Sequence, residues 1–430
     1  MAAAPHPFRI HNFRAYWISR LAMTLGQYAM LLIIGWQAYN VARDSGMSVG
    51  ASAGQLAIIG LLQFLPLFVL TPFAGLAADR LNRKTVARLT VALQAVCAAL
   101  LGVATWQGAM SLPILFGIAM LLGVARGFAG PALSALAPNL VPKAVLPNAI
   151  ALSSIAWQTG MIVGPAIGGY LYVIAPWLPY AAVFGLFMVS LIALTLIGDV
   201  PRTAITGAQH PVAQVIDGLR YVKDNKMVLG AITLDLFAVF LAGATALFPV
   251  YARDILHVGA TGLSQLAAAP AVGAALMALV FSFRPLRTNV GPIMLWAVAA
   301  FGLATIVFGF STSMPLSLAA LFVVGAADMV SVYIRQSLIQ LHTPDDKRGR
   351  VSSVSLLTIS ASNEFGDFFS GSLAWIIGPV AAVVSGGIGA IATVLLWSQW
   401  FPVLRNTRTF DPPPELADDE AEQTLQEKLT

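Results

Sequence analysis

The feature that most constrains this sequence is a series of apolar runs, each long enough to cross a lipid bilayer as a helix. About 20 apolar residues span the hydrocarbon core of a membrane. With 58% hydrophobic and only 10% charged residues, the composition does not fit a soluble chain. The sequence therefore predicts an all-α polytopic membrane protein with twelve transmembrane helices, at residues 13–40, 54–78, 85–106, 112–136, 147–173, 177–198, 228–251, 262–283, 291–311, 315–337, 352–375 and 377–401.

The distribution of Lys and Arg predicts the orientation of these helices. Cytoplasmic loops of membrane proteins carry an excess of positive charge. If both termini are cytoplasmic, 19 of the 24 Lys and Arg residues fall on the inner side. Only Arg43 and Arg253 fall in outer loops. We therefore expect both termini to lie in the cytoplasm.

One long polar interruption divides the helices into two sets of six. It contains Val212, Val215, Ile216, Leu219 and Val222 at helical spacing, which predicts an amphipathic helix on the membrane surface. Two halves of six helices are typical of transporters with repeated halves, whose substrate site lies between the halves. The predicted segments are an N-terminus at 1–12, a first half at 13–198, a linker at 199–227, a second half at 228–404 and an acidic tail at 405–430.

Seven charged side chains stand out because they lie well inside the predicted helices. A charge at the centre of a membrane helix costs about 2.5–3.5 kcal/mol or more, so each needs a partner or an aqueous cavity. Each is therefore a candidate functional residue. They are Arg20, Arg126, Asp235, Asp328, Arg335, Glu364 and Asp367.

The four carboxylates are candidates for proton coupling. Glu364 and Asp367 lie one turn apart on the eleventh helix, beside Asn363, and their mutual repulsion favours protonation of one of them. The alternative is an ion pair of Glu364 with Arg126 or Arg335. Asp328 lies seven residues from Arg335, too far for direct pairing along one helix, so we expect a partner on another helix. Asp235 is either a coupling site or the partner of a nearby Lys or Arg.

A polar face on the first helix predicts a cavity lining. Arg20, Thr24, Gln27 and Tyr28 are spaced so that they share one side of that helix. Trp157 on the fifth helix is a further cavity candidate. Alternatively, Arg20 extends to the lipid headgroups and lines no cavity.

The fifth helix carries a glycine pattern that favours close helix packing. Gly160, Gly164 and Gly168 repeat every four residues, and Gly169 follows directly. One face therefore lacks side chains, and a neighbouring helix can approach it closely. Pro165 frees a backbone carbonyl group and bends the helix.

Three of these segments resemble signatures of the major facilitator superfamily. Residues 75–84, GLAADRLNRK, match the loop pattern G-x-x-x-D-R-x-G-R-K, with Asn82 in place of the second Gly. Residues 160–169 complete the antiporter pattern G-x-x-x-G-P-x-x-G-G. Residues 126–130 keep the Arg and the Gly of the pattern R-x-x-Q-G, with Ala129 in place of Gln.

Within the superfamily, residues 252–263 and 328–366 resemble exporters of the enterobactin-exporter-like and macrolide-efflux-like branch. The resemblance implies proton-coupled export of siderophores or amphipathic drugs through a bacterial inner membrane. It also implies that Asp79 contacts the start of the eleventh helix and the fourth-helix Arg, as a cytoplasmic gate. The residues of this gating loop are Gly75, Asp79, Arg80, Arg83 and Lys84.

Other functional classes lack their chemical signatures. The five histidines are dispersed, and neither H-E-x-x-H nor the Gly-Lys dipeptide of a phosphate loop occurs. We expect no enzyme activity, cofactor, metal or nucleic-acid partner, and a monomer that contacts the bilayer, a small-molecule substrate and protons. The alternatives are transport of a metabolite or lipid-like amphiphile in either direction, and a sensor or assembly partner that transports nothing.

Overall fold

The computed structural model describes residues 6–80, 82–136, 139–142, 145–198 and 211–411. In this part of the chain the regular structure is helical, and no strand occurs. The helices are α1 (His11–Asp44), α2 (Val49–Arg80), α3 (Arg83–Trp106), α4 (Leu112–Leu136), α5 (Leu146–Ile174), α6 (Leu178–Leu196), α7 (Pro211–Asp224), α8 (Lys226–Ala242), α9 (Phe248–Val250), α10 (Gly259–Phe283), α11 (Val290–Phe310), α12 (Met314–Leu341), α13 (Asp345–Ile377), α14 (Pro379–Trp400) and α15 (Pro402–Asn406).

These helices confirm the predicted fold class. Eleven spans among the described residues are long and apolar enough to cross a membrane. Helix α13, which corresponds to the eleventh predicted helix, does not meet this criterion. It has 33 residues and contains Glu364 and Asp367. Helices α1–α6 correspond to the first predicted set of six, and α8 with α10–α14 to the second. Helix α7 is the amphipathic linker helix.

The seventh predicted helix, at 228–251, is interrupted in the structure. Helix α8 ends at Ala242, and a second helical stretch, which includes α9, carries the span on to Ile255. The break occurs at Gly243, where a Cβ atom would lie 3.1 Å from the backbone of Gly366 in α13. This close approach of two backbones favours glycine at both positions, and local hydropathy does not predict it.

The core is divided in the same way as the chain. One cluster of buried side chains lies entirely within residues 13–197 and another within residues 227–404. A third cluster joins the halves, because it packs Trp36, Tyr39 and Leu56 against Phe248 and Leu266. We call the end of the bundle where α1 begins the termini side, and the end where α1 finishes at Asp44 the opposite side. The third cluster lies toward the opposite side.

Helix α7 is fixed to the second half at the termini side. Asp217 forms an ion pair with Arg350 of α13. The Tyr221 hydroxyl donates a hydrogen bond of 3.0 Å to the His342 carbonyl oxygen, and the Lys347 ammonium lies 5.1 Å from the Tyr221 ring centre. The linker helix is therefore held by specific polar contacts and by burial of Val222, whereas Ile216 and Leu219 of its apolar face are exposed.

His342 makes this attachment sensitive to pH. Its side chain is buried just after α12, and burial lowers the pKa of His342 below its ordinary value of 6.5. The unfolded chain therefore binds a proton more readily, so the contribution to stability is complete above that value and decreases as the pH falls through it. We expect wild-type protein to lose more thermal stability between about pH 8 and about pH 5.5 than His342→Gln does. Equal losses in thermal unfolding scans would contradict this account.

Candidate functional site

The centre of the molecule contains an ion pair between the two halves. The Arg126 Nη2 atom in α4 lies 2.8 Å from the Glu364 Oε1 atom in α13. Arg126 also donates a hydrogen bond of 3.1 Å to the Gln63 Oε1 atom in α2. The Arg126 and Glu364 side chains are 20% and 16% exposed, so solvent or a ligand can reach them. Of the two partners predicted for Glu364, the structure places Arg126 beside it.

A small cavity lies next to this ion pair within the first half. Its polar lining consists of the Arg126 guanidinium group and the amide groups of Gln27, Gln63 and Gln94. The remaining side chains are apolar, namely Met30, Leu31, Ile34, Leu122 and Phe187. An apolar pocket with a few converging polar groups is the usual form of a small-molecule site.

The polar face predicted on α1 is only partly a cavity lining. Gln27 lines the cavity. Thr24 is buried instead: its hydroxyl group donates a hydrogen bond to the Arg20 carbonyl oxygen. Tyr28 packs edge-on against Trp157, with 6.4 Å between the ring centres, and Trp157 is 41% exposed.

A second group of charges lies within the second half. Arg335 of α12 forms a buried ion pair with Asp235 of α8. A small neighbouring cavity is lined by both Asp235 and Asp328, together with Phe301 and Ser331. Among the described residues Asp328 has no ion pair or hydrogen bond, in contrast to the partner expected on another helix. Asp235 is therefore the residue that holds Arg335, and the Asp328 carboxyl group faces a cavity.

Two further candidate residues of α13 lie on either side of Glu364 in the sequence. The Asp367 Oδ1 atom accepts a hydrogen bond of 2.7 Å from the Thr245 hydroxyl group. Asn363 is exposed. Thr245 lies in the break between α8 and α9, so the interruption of that helix supplies a donor to a membrane carboxyl group.

The glycine face of α5 packs against α1. Cβ atoms at Gly160 and Gly164 would lie 2.6 Å from Thr24 Cβ and 2.8 Å from Tyr28 Cβ. At Gly168 a Cβ atom would lie 2.9 Å from Ile33 Cδ1. Gly169 instead faces α10 of the other half, where the Pro165 carbonyl oxygen accepts a hydrogen bond of 2.9 Å from Ser264.

Two crossed ion pairs link the halves on the opposite side. The Arg43 Nη2 atom lies 3.0 Å from Asp254 Oδ1, and the Arg253 Nη2 atom lies 2.7 Å from Asp44 Oδ1. Tyr39 donates a further hydrogen bond to Asp254. Each half thus contributes an Arg-Asp dipeptide at the end of its first membrane span. With the contacts of α5 with α10 and of α2 with α13, these pairs close the opposite side.

Sequence reasoning did not identify these gate residues or Gln63. Arg43 entered only the count of outer charges, and Arg253 entered that count and the segment 252–263 that resembles exporters. A signal was present, because the same dipeptide, Arg-Asp, recurs at residues 43–44 and 253–254. Gln63 gave no comparable signal, since a lone amide in an apolar helix has many structural roles.

The gating loop is described only in part. The side chains of Gly75, Asp79 and Arg80 lie outside the described part of the structure, so the predicted contact of Asp79 remains a prediction. Asn82 caps α3 by accepting a hydrogen bond of 3.0 Å from the Lys84 amide. The Lys84 ammonium group donates to the Ile197 carbonyl oxygen, and Arg83 is the first residue of α3.

Comparison with known proteins decides the family. Residues 16–366 match the family model of the Major Facilitator Superfamily. The chain belongs to this superfamily. Its members and the relatives of this chain are transporters rather than enzymes, and the structure is that of a multi-pass membrane protein.

Curated relatives of this superfamily transporter are named as exporters. The multidrug efflux pump Tap of Mycobacterium tuberculosis strain H37Rv is 29% identical over 359 residues, which cover 80% of this chain and 84% of the pump. The enterobactin exporter EntS of Citrobacter koseri is 26% identical over 413 residues, which cover 94% of each chain. The family and the exporter resemblance predicted from the motifs are thus confirmed.

Solved structures confirm the fold of the transporter. A bacterial homologue of the human lysosomal transporter Spinster, in an inward-facing and unoccupied conformation, matches with a TM-score of 0.69 and 17% identity. The match covers 92% of this chain and 99% of that chain. A D-xylose–proton symporter matches with a TM-score of 0.71 and 12% identity, over 91% and 98% of the two chains.

Proposed function

We propose that this transporter is a proton-coupled antiporter that exports amphipathic small molecules such as drugs or siderophores. The observation that carries the proposal is the Arg126–Glu364 ion pair, which joins the two halves beside a cavity of mixed polarity. The names of the Tap and EntS relatives support export. In this proposal the protein is a monomer in a bacterial inner membrane with both termini in the cytoplasm.

The transport cycle in this proposal alternates between two states of the bundle. The crossed ion pairs and the α5–α10 contact hold the opposite side closed, so the site opens toward the termini side. When the halves rock, these contacts separate and the opposite side opens. On the termini side, the gating loop with Asp79 forms the corresponding closure.

Proton coupling is assigned to three of the four carboxyl groups in the predicted membrane helices. Asp328 is the first candidate, because it lines the second-half cavity and forms no ion pair with the described residues. Glu364 is the second, because separation of the halves would take it away from Arg126. Asp367 is a third candidate. Asp235 is assigned a structural role, because it pairs with Arg335 inside one half.

A second function rests on the mixed lining of the first cavity. Three amide groups and one guanidinium group would also bind a polar metabolite or a lipid-like amphiphile. In that case the same fold transports its substrate in either direction.

Inside-out membrane vesicles test the exporter directly. Respiration acidifies their lumen, and addition of an exported dye or drug is expected to release protons through the transporter. We expect Asp328→Asn and Glu364→Gln to lower this proton release by about tenfold or more, because an amide cannot exchange a proton at neutral pH. The readout is the fluorescence of a pH-sensitive dye.

The matched control is Asp224→Asn, since this exposed carboxylate lies at the end of α7. It should behave as wild type. If both Asp328→Asn and Glu364→Gln fold and still couple normally, neither residue is the proton site. A wild type that releases no protons with any exported compound would contradict antiport itself.

A further inference from the structure

The charges around the central site are divided by sign between the two halves. The first half contributes Arg126 from α4 and Arg20 from α1. The second half contributes Glu364 and Asp367, one turn apart on α13. Arg126 and Glu364 meet where the two halves join, with 2.8 Å between Nη2 and Oε1. The site therefore combines a cationic wall and an anionic wall, and these four charges sum to zero.

A ligand that enters this site meets the Arg126–Glu364 pair. The pair is partly exposed, and the Gln27, Gln63 and Gln94 amides line the space beside Arg126. Gln63 already orients Arg126 toward the interface between the halves. A ligand at the interface must therefore either compete for one member of the pair or satisfy both.

The charge of the ligand decides which of these outcomes is favourable. A ligand with one negative charge can pair with Arg126, but it leaves the Glu364 carboxylate without a partner. A ligand with one positive charge leaves Arg126 unpaired in the same way. An uncompensated charge in a partly buried site is strongly unfavourable. A ligand with both charges replaces one ion pair by two and leaves neither side chain unpaired.

We propose that the central site binds zwitterionic amphiphiles, with the anionic group at Arg126 and the cationic group at Glu364. This inference rests on the proposed transport function and defines its substrate class. The body of the ligand would pack against Leu31, an apolar cavity residue with an exposed side chain. Exposed aromatic rings are available on both walls, with Trp157 on α5 and Phe365 on α13. The ligand itself would then bridge the two halves.

Binding of three matched probes to the purified full-length protein tests the substrate class. Naphthylalanine, naphthylpropanoate and naphthylethylammonium share one ring system and differ in charge. For wild type, equilibrium dialysis at neutral pH should give an affinity for naphthylalanine that is at least about tenfold higher than for the other two. Glu364→Gln should favour naphthylpropanoate, and Arg126→Gln should favour naphthylethylammonium. Each single variant thus changes the preferred charge, which a general loss of structure would not do.

Two further variants keep the test decisive. Arg126→Gln with Glu364→Gln preserves the balance of charge and should bind the three probes with similar affinities. Asp224→Asn, an exposed change at the end of α7 and outside the site, should keep the wild-type order. The inference is overturned if wild type does not prefer naphthylalanine, if the single variants keep that order, or if none of the probes binds. Binding in detergent requires no proton gradient, so a failure of proton-coupled export is measured separately in vesicles.

Discussion

Replacing Asp254 by Arg is expected to open the opposite side of the transporter and to reduce transport by about tenfold or more. The variant places a new cation beside Arg43 and removes the acceptor of the Tyr39 hydrogen bond. Like charges at this distance repel, so the halves separate where the structure now joins them. Adding Arg43→Asp should restore an ion pair of reversed polarity and recover transport.

Cysteine labelling can measure this opening without a substrate. The single native cysteine, Cys97, is buried in α3 and provides a low background. A cysteine at Gln27 in the cavity should react with an impermeant thiol reagent from the opposite side more readily in Asp254→Arg than in wild type. The double variant should return to the wild-type rate. Asp224→Arg is the control for reversal of an exposed charge, and it should leave labelling unchanged. If the double variant labels like Asp254→Arg, the crossed ion pairs do not act as a gate.

A methyl group at Gly169 is expected to prevent closure of the opposite side and to abolish transport. The added Cβ atom would overlap the Ser264 hydroxyl oxygen and the Ala260 carbonyl oxygen in α10. Backbone cannot move aside as a flexible side chain can, so the two halves must stay apart. Because Gly169 faces the other half, the packing of α5 within the first half should persist.

Two other glycine variants separate closure from folding. Gly164→Ala places its methyl group 2.8 Å from Tyr28 Cβ within the first half, so it should lower the free energy of unfolding by about 1–3 kcal/mol. Gly185→Ala meets no atom within 4 Å and should have no effect on transport. Thermal unfolding and transport rates are measured for all three. A Gly169→Ala protein with normal transport would show that α5 and α10 need not meet this closely.

The helices could be predicted from the sequence because burial in a bilayer is a local property of the chain. Helix α4 begins and ends at the predicted residues, 112 and 136, and the linker helix α7 follows its amphipathic pattern. The break after α8 could not be predicted, since it depends on Gly243 meeting the backbone of Gly366. Contacts between residues so far apart in sequence leave little trace in hydropathy.

The sequence predicts the candidate site only as a set of charged residues whose burial in the bilayer is energetically unfavourable. Each membrane carboxylate and Arg was identifiable because a charge in a bilayer needs a partner, but the sequence left two possible partners for Glu364. The structure pairs Glu364 with Arg126 and assigns Arg335 to Asp235. Pair selection depends on how the helices are arranged, and spacing along one helix does not determine it.

Liposomes that contain the purified transporter test proton-coupled export most directly. An acidic lumen supplies the proton gradient, and valinomycin with equal potassium concentrations on both sides holds the membrane potential near zero. We expect external naphthylalanine or ethidium to accumulate in the lumen as protons leave it, faster than in liposomes without protein. Glu364→Gln or Asp328→Asn should abolish the acceleration. If neither probe accumulates and neither changes the rate of proton loss, the protein is not a proton-coupled exporter of such molecules.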